Sequence, residues 1–335
     1  MGDFSLTDIL EAKSAIKGLA DNTPLVPSVF MSALTGHEFL LKLENTQVIG
    51  AFKLRGAMNA VMALPEGTKG VTCCSTGNHG RGVAYAAAQR GIRAVICMSS
   101  LVPKAKVDGI RALGAEVQIC GRSQDQAQAQ SLALVLLEEL TYISPFDDRH
   151  VIAGQGTIGF ELIEARPDLD MILVPLSGGG LAAGVAFAAK SINPDIKVIG
   201  VTMDRGAAMH TSLRAGKPVE VPELPSLADS LGGGVGLENR LSFSLCRDYL
   251  DDTILVSEAD IRDAMQVLYF EDRMVGEGAS VVGLAAVMTG KIKLKGPSAT
   301  IITGRNLDMG VFTKIITGQD ITLGDYILKG KTYGA

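Results

Sequence analysis

Five short segments of this 335-residue chain carry residue types that could do chemistry. In Gly50-Ala51-Phe52-Lys53-Leu54-Arg55-Gly56-Ala57 a lysine sits between two apolar residues. Burial there would lower its pKa and supply the neutral amine that Schiff-base chemistry or proton abstraction needs. Taken alone, the segment also fits a surface lysine with a packed stem. Ser75-Thr76-Gly77-Asn78-His79-Gly80 and Ser177-Gly178-Gly179-Gly180 each follow an apolar run and precede a helical pattern. Glycines there let backbone approach a ligand, and a helix start offers N–H donors to an anion. A capped turn without ligand is the plainer alternative for both. In Ile301-Ile302-Thr303-Gly304-Arg305-Asn306 a hydroxyl ends a buried strand and could face a ligand ring nitrogen or merely close a turn. The fifth segment, Gly154-Gln155-Gly156-Thr157-Ile158-Gly159, fits G-x-G-x-x-G. It lacks a clear preceding strand and a following carboxylate, so a dinucleotide site is not expected.

The elements that must hold these segments follow from periodicity. From Gly70 the chain reads strand Val71–Ser75, helix Arg81–Arg90, strand Arg93–Met98, helix Lys104–Leu113, strand Glu116–Cys120 and helix Gln124–Leu140. That order predicts a parallel sheet covered on both faces. A second set comprises strand Met171–Leu176, a helix from Leu181, and strands Lys197–Thr202, Thr253–Val256 and Thr300–Thr303. Ser257 with Asp260 forms a capping-box signature. The stretch Asp204–Arg240 reads as irregular, and the tail after Gly318 as peripheral. Two sheets predict a cleft at the C-terminal ends of strands. The expected division is a small mobile unit over 66–145, a large unit over 1–65 plus 146–318, and a tail over 319–335.

Composition removes other classes. The chain is 47% hydrophobic and carries a net charge of −5, which argues against disorder and against binding nucleic acid by phosphate neutralisation. Met171 to Ala189 holds no charge, but Pro175 and the glycine run break it, so no membrane span is expected. The five cysteines, Cys73, Cys74, Cys97, Cys120 and Cys246, contain no C-x-x-C pair and suit a reducing cytoplasm. Adjacent Cys73 and Cys74 would point to opposite faces of a strand, which makes a zinc site with His79 a poor reading. No signal peptide is seen at the N-terminus.

The order and spacing of the segments resemble the fold-type II pyridoxal-phosphate enzymes, specifically the serine/threonine dehydratase family. The resemblance runs from about Ser5 to Gly318 through Thr23-Pro24-Leu25, Leu43-Glu44-Asn45, Phe52–Ala57, Ser75–Gly80, Gly178–Leu181, Ala228-Asp229 and Thr303–Asn306. It implies an α/β fold of two open, mostly parallel sheets flanked by helices, like the tryptophan synthase β chain. It also implies a β-hydroxy amino acid substrate, a 2-oxo acid and ammonia as products, and a homodimer or homotetramer. By the same resemblance, Lys53 would hold the cofactor covalently and act as general base, with Phe52 beside the ring. Asn78 would meet the ring hydroxyl. Gly178, Gly179, Gly180 and Leu181 would bind the phosphate. Thr303 would meet the pyridine nitrogen, with Glu277 near the ring. Ser75, Thr76, Gly77, Asn78 and His79 would receive the substrate carboxylate.

Departures narrow the expectation. Ala51 stands where many relatives have serine, and Ser177 replaces the first glycine of a four-glycine loop. Thr76 stands where racemising relatives carry a serine base. Met203, Ala207 and Met209 fall where the racemase branch binds a divalent ion, and thioether sulfur suits no such hard cation, so no metal is expected. Gly121–Asp125, Arg205–His210 and Ala228–Gly234 are similar to the dehydratase of hydroxyectoine utilisation, and Gly-Ala-Phe-Lys is also similar to hydroxyaspartate dehydratases. On that reading Arg205 and His210 would read a second polar group of a larger substrate; otherwise both face solvent. A racemase, or a protein that binds cofactor without turnover, remains open from sequence.

Overall fold

A computed structural model describes residues 3–75, 77–100, 102, 104–122 and 124–334, without the side chains of 105, 124 and 125. Thr76 and Ser123 therefore lie outside the described residues. Twelve strands are described: β1 (Leu25–Pro27), β2 (Phe39–Lys42), β3 (Gly70–Cys74), β4 (Arg93–Met98), β5 (Glu116–Ile119), β6 (Thr141–Tyr142), β7 (Met171–Pro175), β8 (Lys197–Met203), β9 (Asp252–Val256), β10 (Ser298–Ile301), β11 (Ile321–Leu323) and β12 (Tyr326–Leu328). They form a six-stranded sheet in the order β1-β2-β10-β7-β8-β9, a four-stranded sheet β5-β4-β3-β6, and the pair β11-β12. The small sheet is parallel throughout, and in the large one only β1 runs antiparallel to its neighbour.

Alternation along the strands fills both faces, as a sheet covered by helices requires. In β7, Ile172 and Val174 enter one core while Leu173 enters the opposite one. In β3, Cys73 joins the core on one side of the small sheet and Cys74 the other, the arrangement expected for neighbouring cysteines on a strand. The expected capping box is present, with the Ser257 hydroxyl accepting from Asp260 N–H at 3.2 Å.

Two expectations need correction, those for Asp204–Arg240 and for the segment after Gly318, while the rejection of a dinucleotide loop agrees with the structure. The G-x-G-x-x-G segment lies inside the helix Arg149–Ala165, not on a strand-to-helix turn. Its glycines permit close helix packing: a Cβ on Gly154 would lie 2.6 Å from the Arg55 carbonyl, and one on Gly159 2.6 Å from that of Val185. Asp204–Arg240 contains the helix Ala208–Ala215. The segment after Gly318 is not peripheral, because β11 and β12 bury Ile321 and Leu328 in the large sheet's core. Strands β1, β2 and β6 carry no periodic signal and were not expected. The helix–helix seam gives a first prediction. A Cβ on Gly184 would lie 2.4 Å from the Ile152 carbonyl, backbone that cannot rotate away. Gly184→Val should cost about 1–3 kcal/mol, read as a lower urea midpoint.

Candidate active site

Two main-chain hydrogen bonds bring the chemistry together. Phe52 N–H donates to the Thr303 carbonyl at 2.9 Å, and Arg305 N–H to the Gly50 carbonyl at 2.9 Å. They lay the approach to Lys53 against the end of β10, with a bridge between Ala51 and Gly304. Gly50 has φ +77°, and a Cβ there would lie 3.0 Å from the Asn306 side chain, so glycine suits the junction. Lys53 then starts the helix Lys53–Met62. This helix is anchored by a buried ionic cluster. Arg55 donates to Glu44 at 2.8 Å and to Glu161 at 2.7 Å, and Lys42 donates to Glu161 at 2.6 Å. Thr23 caps Glu44 at 2.6 Å. Burial alone would raise the Glu44 pKa, but Arg55, Thr23 and Lys42 together outweigh it and hold the carboxylate below its usual range.

Lys53 faces a cleft of about 1310 Å³ between the two sheets. Its Nζ donates to the Pro145 carbonyl at 2.6 Å. Burial lowers its pKa to about 8, with the neighbouring Cys73 opposing. Phe52, Ser75, Gly77, Asn78, His79, Gly179, Gly180, Leu181, Glu277 and Thr303 line the same cleft. The helix Asn78–Arg90 begins here, capped by Gly77, and the helix Gly180–Ile192 begins here too, capped by Gly179 at φ +95°. Two helix N-termini facing one cleft suit two anionic groups. Gly178 backs the loop: a Cβ would lie 2.2 Å from the Phe146 ring. The loop's carbonyls are held from behind, Gly178 by the Ser242 hydroxyl at 2.8 Å and Gly179 by the Cys246 thiol at 3.5 Å.

Across the cleft, Asn78 Nδ2 donates to Glu277 Oε1 at 2.9 Å, and Ser230 donates to the same oxygen at 2.9 Å. Asn306 Nδ2 donates to Asn78 Oδ1 at 2.7 Å, fixing which way the amide faces. Burial first, and Asp229 second, raise the Glu277 pKa to about 7 against these hydrogen bonds. Because the protonated form is favoured in the folded state, stability should fall as pH rises from about 4.5 to 7, by at most about 1.4 kcal/mol per pH unit. Urea midpoints measured across that window should show a slope that Glu277→Gln removes.

The His79 ring is held by main chain at the cleft. Its Nε2 lies 2.9 Å from the Ile143 carbonyl, and burial lowers its pKa to about 3. The neutral ring therefore carries its proton on Nε2, committed to main chain. Arg205 and His210 do not line the cleft. Arg205 donates to the Pro225 carbonyl at 3.0 Å with its guanidinium over Tyr326, and His210 Nδ1 lies 2.7 Å from the Thr253 hydroxyl. One packs against the C-terminal hairpin, the other against β9. Thr76 lies outside the described residues. Sequence reasoning missed Ser230, Ser280 and the orienting role of Asn306, which depend on partners far along the chain.

Comparison with known proteins places this geometry. Residues 16–304 match the family model described as pyridoxal-phosphate dependent enzyme, and the chain belongs to that family. A Sinorhizobium fredii protein bearing the name "Putative threonine dehydratase" is 50% identical over 92% of this chain and 94% of its own length. An L-threonine ammonia-lyase of Thermotoga maritima is 42% identical over 91% of this chain and 76% of its own. The solved structure of maize serine racemase superposes with a TM-score of 0.88 at 33% identity, over 92% of this chain and 96% of that one. The residues present fit the cofactor. A lysine whose pKa burial lowers to about 8 stands in a cleft that also holds a glycine cradle at a helix N-terminus, too tight for any side chain.

Proposed function

We infer that this chain is a pyridoxal-phosphate dependent dehydratase. It removes the hydroxyl of a β-hydroxy amino acid of the threonine and serine type and releases a 2-oxo acid and ammonia. Water is lost in the elimination and taken up again in the hydrolysis, so ammonia is the net product. The observation that carries the reading is a single cleft holding Lys53, two helix N-termini and Thr303. Its support is kinship to threonine dehydratases over most of the chain.

Bound pyridoxal phosphate supplies an electron sink for charge left at the substrate Cα. The chain's own residues do the rest. Lys53 holds the cofactor and, once freed, takes the Cα proton; a pKa of about 8 leaves part of the amine neutral at physiological pH. Gly178, Gly179, Gly180 and Leu181 hold the phosphate with main-chain N–H groups. Asn78, oriented by Asn306 and Glu277, meets the ring hydroxyl, and Thr303 meets the ring nitrogen. Phe52 packs beside the ring. Ser75, Thr76, Gly77 and the start of the helix Asn78–Arg90 take the substrate carboxylate. The small sheet and its helices close on the cleft when substrate binds. The enzyme works in the cytoplasm as a homodimer or homotetramer. No disulfide joins its five cysteines, and among the described residues no helix is long and apolar enough to cross a membrane.

The test is turnover with pyridoxal phosphate and, in turn, L-threonine, L-serine, 3-hydroxyaspartate and hydroxyectoine. The reading expects 2-oxo acid and ammonia in equal amounts from at least one β-hydroxy amino acid. Likeness to a serine racemase keeps a second reading alive, in which Thr76 returns a proton to the opposite face. Recovery of D-serine from L-serine without keto acid would favour it. Bound cofactor with neither product would leave a binding protein.

A further inference from the structure

We propose that Ser280 is a positioning residue that sets the direction of the Thr303 hydroxyl and makes it a hydrogen-bond donor into the cleft. The proposal rests on the reading of Thr303 as the partner of the cofactor's ring nitrogen. Ser280 is fully buried in the short turn Gly278–Val281, behind the cleft wall. Its Oγ lies 3.1 Å from Thr303 Oγ1 and 2.8 Å from both the N–H and the carbonyl oxygen of Gly304.

Proton accounting decides the direction. Gly304 N–H can only donate, so one lone pair of Ser280 is taken. Ser280 has a single proton and two acceptors for it, the Gly304 carbonyl and Thr303 Oγ1. The Gly304 carbonyl already receives Glu277 N–H at 3.0 Å. If an acceptor enters the cleft, Thr303 gives it its own proton. Ser280 must then donate to Thr303, because otherwise two oxygens 3.1 Å apart would face each other with no hydrogen between them. The bonds thus run one way, from Gly304 N–H to Ser280 to Thr303 to the cleft. Hydrogen bonds in such a chain polarise one another, which makes the last donor stronger. Gly304 N–H donates to Ser280 in either direction, so the acceptor in the cleft is what selects this one over the reverse, in which Ser280 gives its proton to the Gly304 carbonyl. The consequence of the selected direction is a ring nitrogen that accepts rather than donates. A neutral ring withdraws charge less strongly than a protonated one, which suits expulsion of a β-hydroxyl.

The experiment uses the full chain loaded with pyridoxal phosphate labelled with ¹⁵N in the ring, and reads the ring-nitrogen signal alongside cofactor affinity. Wild type should show an unprotonated nitrogen accepting a hydrogen bond. Ser280→Ala should move the signal toward a nitrogen with no donor and weaken cofactor binding about three- to tenfold. Ser280→Cys, close in size with a weaker donor, should move it less in the same direction, and serves if the alanine variant fails to fold. In a Thr303→Val background, Ser280→Ala should add nothing to the shift, whereas a merely structural role would still lower affinity there. If Thr303→Val moves the signal and neither Ser280 variant does, the relay is overturned and the Thr303 reading stands. If Thr303→Val leaves it unmoved, the Thr303 reading fails and the relay with it. A protonated nitrogen in wild type also overturns the proposal.

Discussion

Lys53→Ala is expected to lower 2-oxo acid release from the preferred β-hydroxy amino acid by about 10²–10⁴-fold, the usual contribution of a positioned general base. The protein should stay folded. Burial already disfavours the charged amine, so removing it relieves a penalty instead of breaking a pair. Its only hydrogen bond is to the Pro145 carbonyl among the described residues. A small primary amine added to the buffer should restore part of the rate, because it can take the proton from the vacated space. The pKa gives a second readout in ligand-free protein. Only the neutral amine attacks an aldehyde, so reductive labelling of Lys53 should rise about tenfold per pH unit below 8 and level off above it. An ordinary exposed lysine would keep rising to about pH 10.4. A variant that kept full turnover would remove Lys53 from the mechanism.

Arg55→Ala should act in the opposite way, through the fold. It leaves Glu44 and Glu161 buried and facing each other with Lys42 as the remaining cation of the cluster. Removing one member of a buried ionic group costs about 3–5 kcal/mol, more than the pair's net worth, because the partner charges stay desolvated. The urea midpoint should fall accordingly. Arg55 lies two residues into the helix that Lys53 begins, so cofactor affinity should fall as well. Arg55→Lys should recover little of either: a single ammonium cannot reproduce the fork that reaches Glu44 through Nε and Nη2 and Glu161 through Nη1 and Nη2. Unchanged stability in Arg55→Ala would mean that the cluster does not anchor the helix.

What could be read in the sequence depended on range. The glycine loop, the Ser75–Gly80 segment and the βα order were legible because strand, turn and helix signals sit within a few residues of one another. Thr303 and Lys53 could be placed in one site only through the family resemblance. The bond that joins their segments, from Phe52 N–H to the Thr303 carbonyl, spans most of the chain. Ser230 and Asn306 were invisible as site residues for the same reason; each meets a partner that no local pattern specifies. Strand β2, Phe39-Leu40-Leu41-Lys42, is buried along its whole length, lysine included, and so lacks alternation. Its charge is met by Glu161, 119 positions away. No local pattern specifies where the Arg205 and His210 side chains go. Tertiary packing instead sends one to Pro225 and Tyr326 and the other to Thr253.

The central claim is that Lys53 is the residue that holds pyridoxal phosphate. The most direct measurement is borohydride reduction of the cofactor-loaded protein, followed by proteolysis and mass spectrometry of the peptides. The account predicts one stable phosphopyridoxyl group per chain, carried by the peptide that contains Lys53. A modification confined to another of the chain's lysines, or none after loading with cofactor, would contradict it.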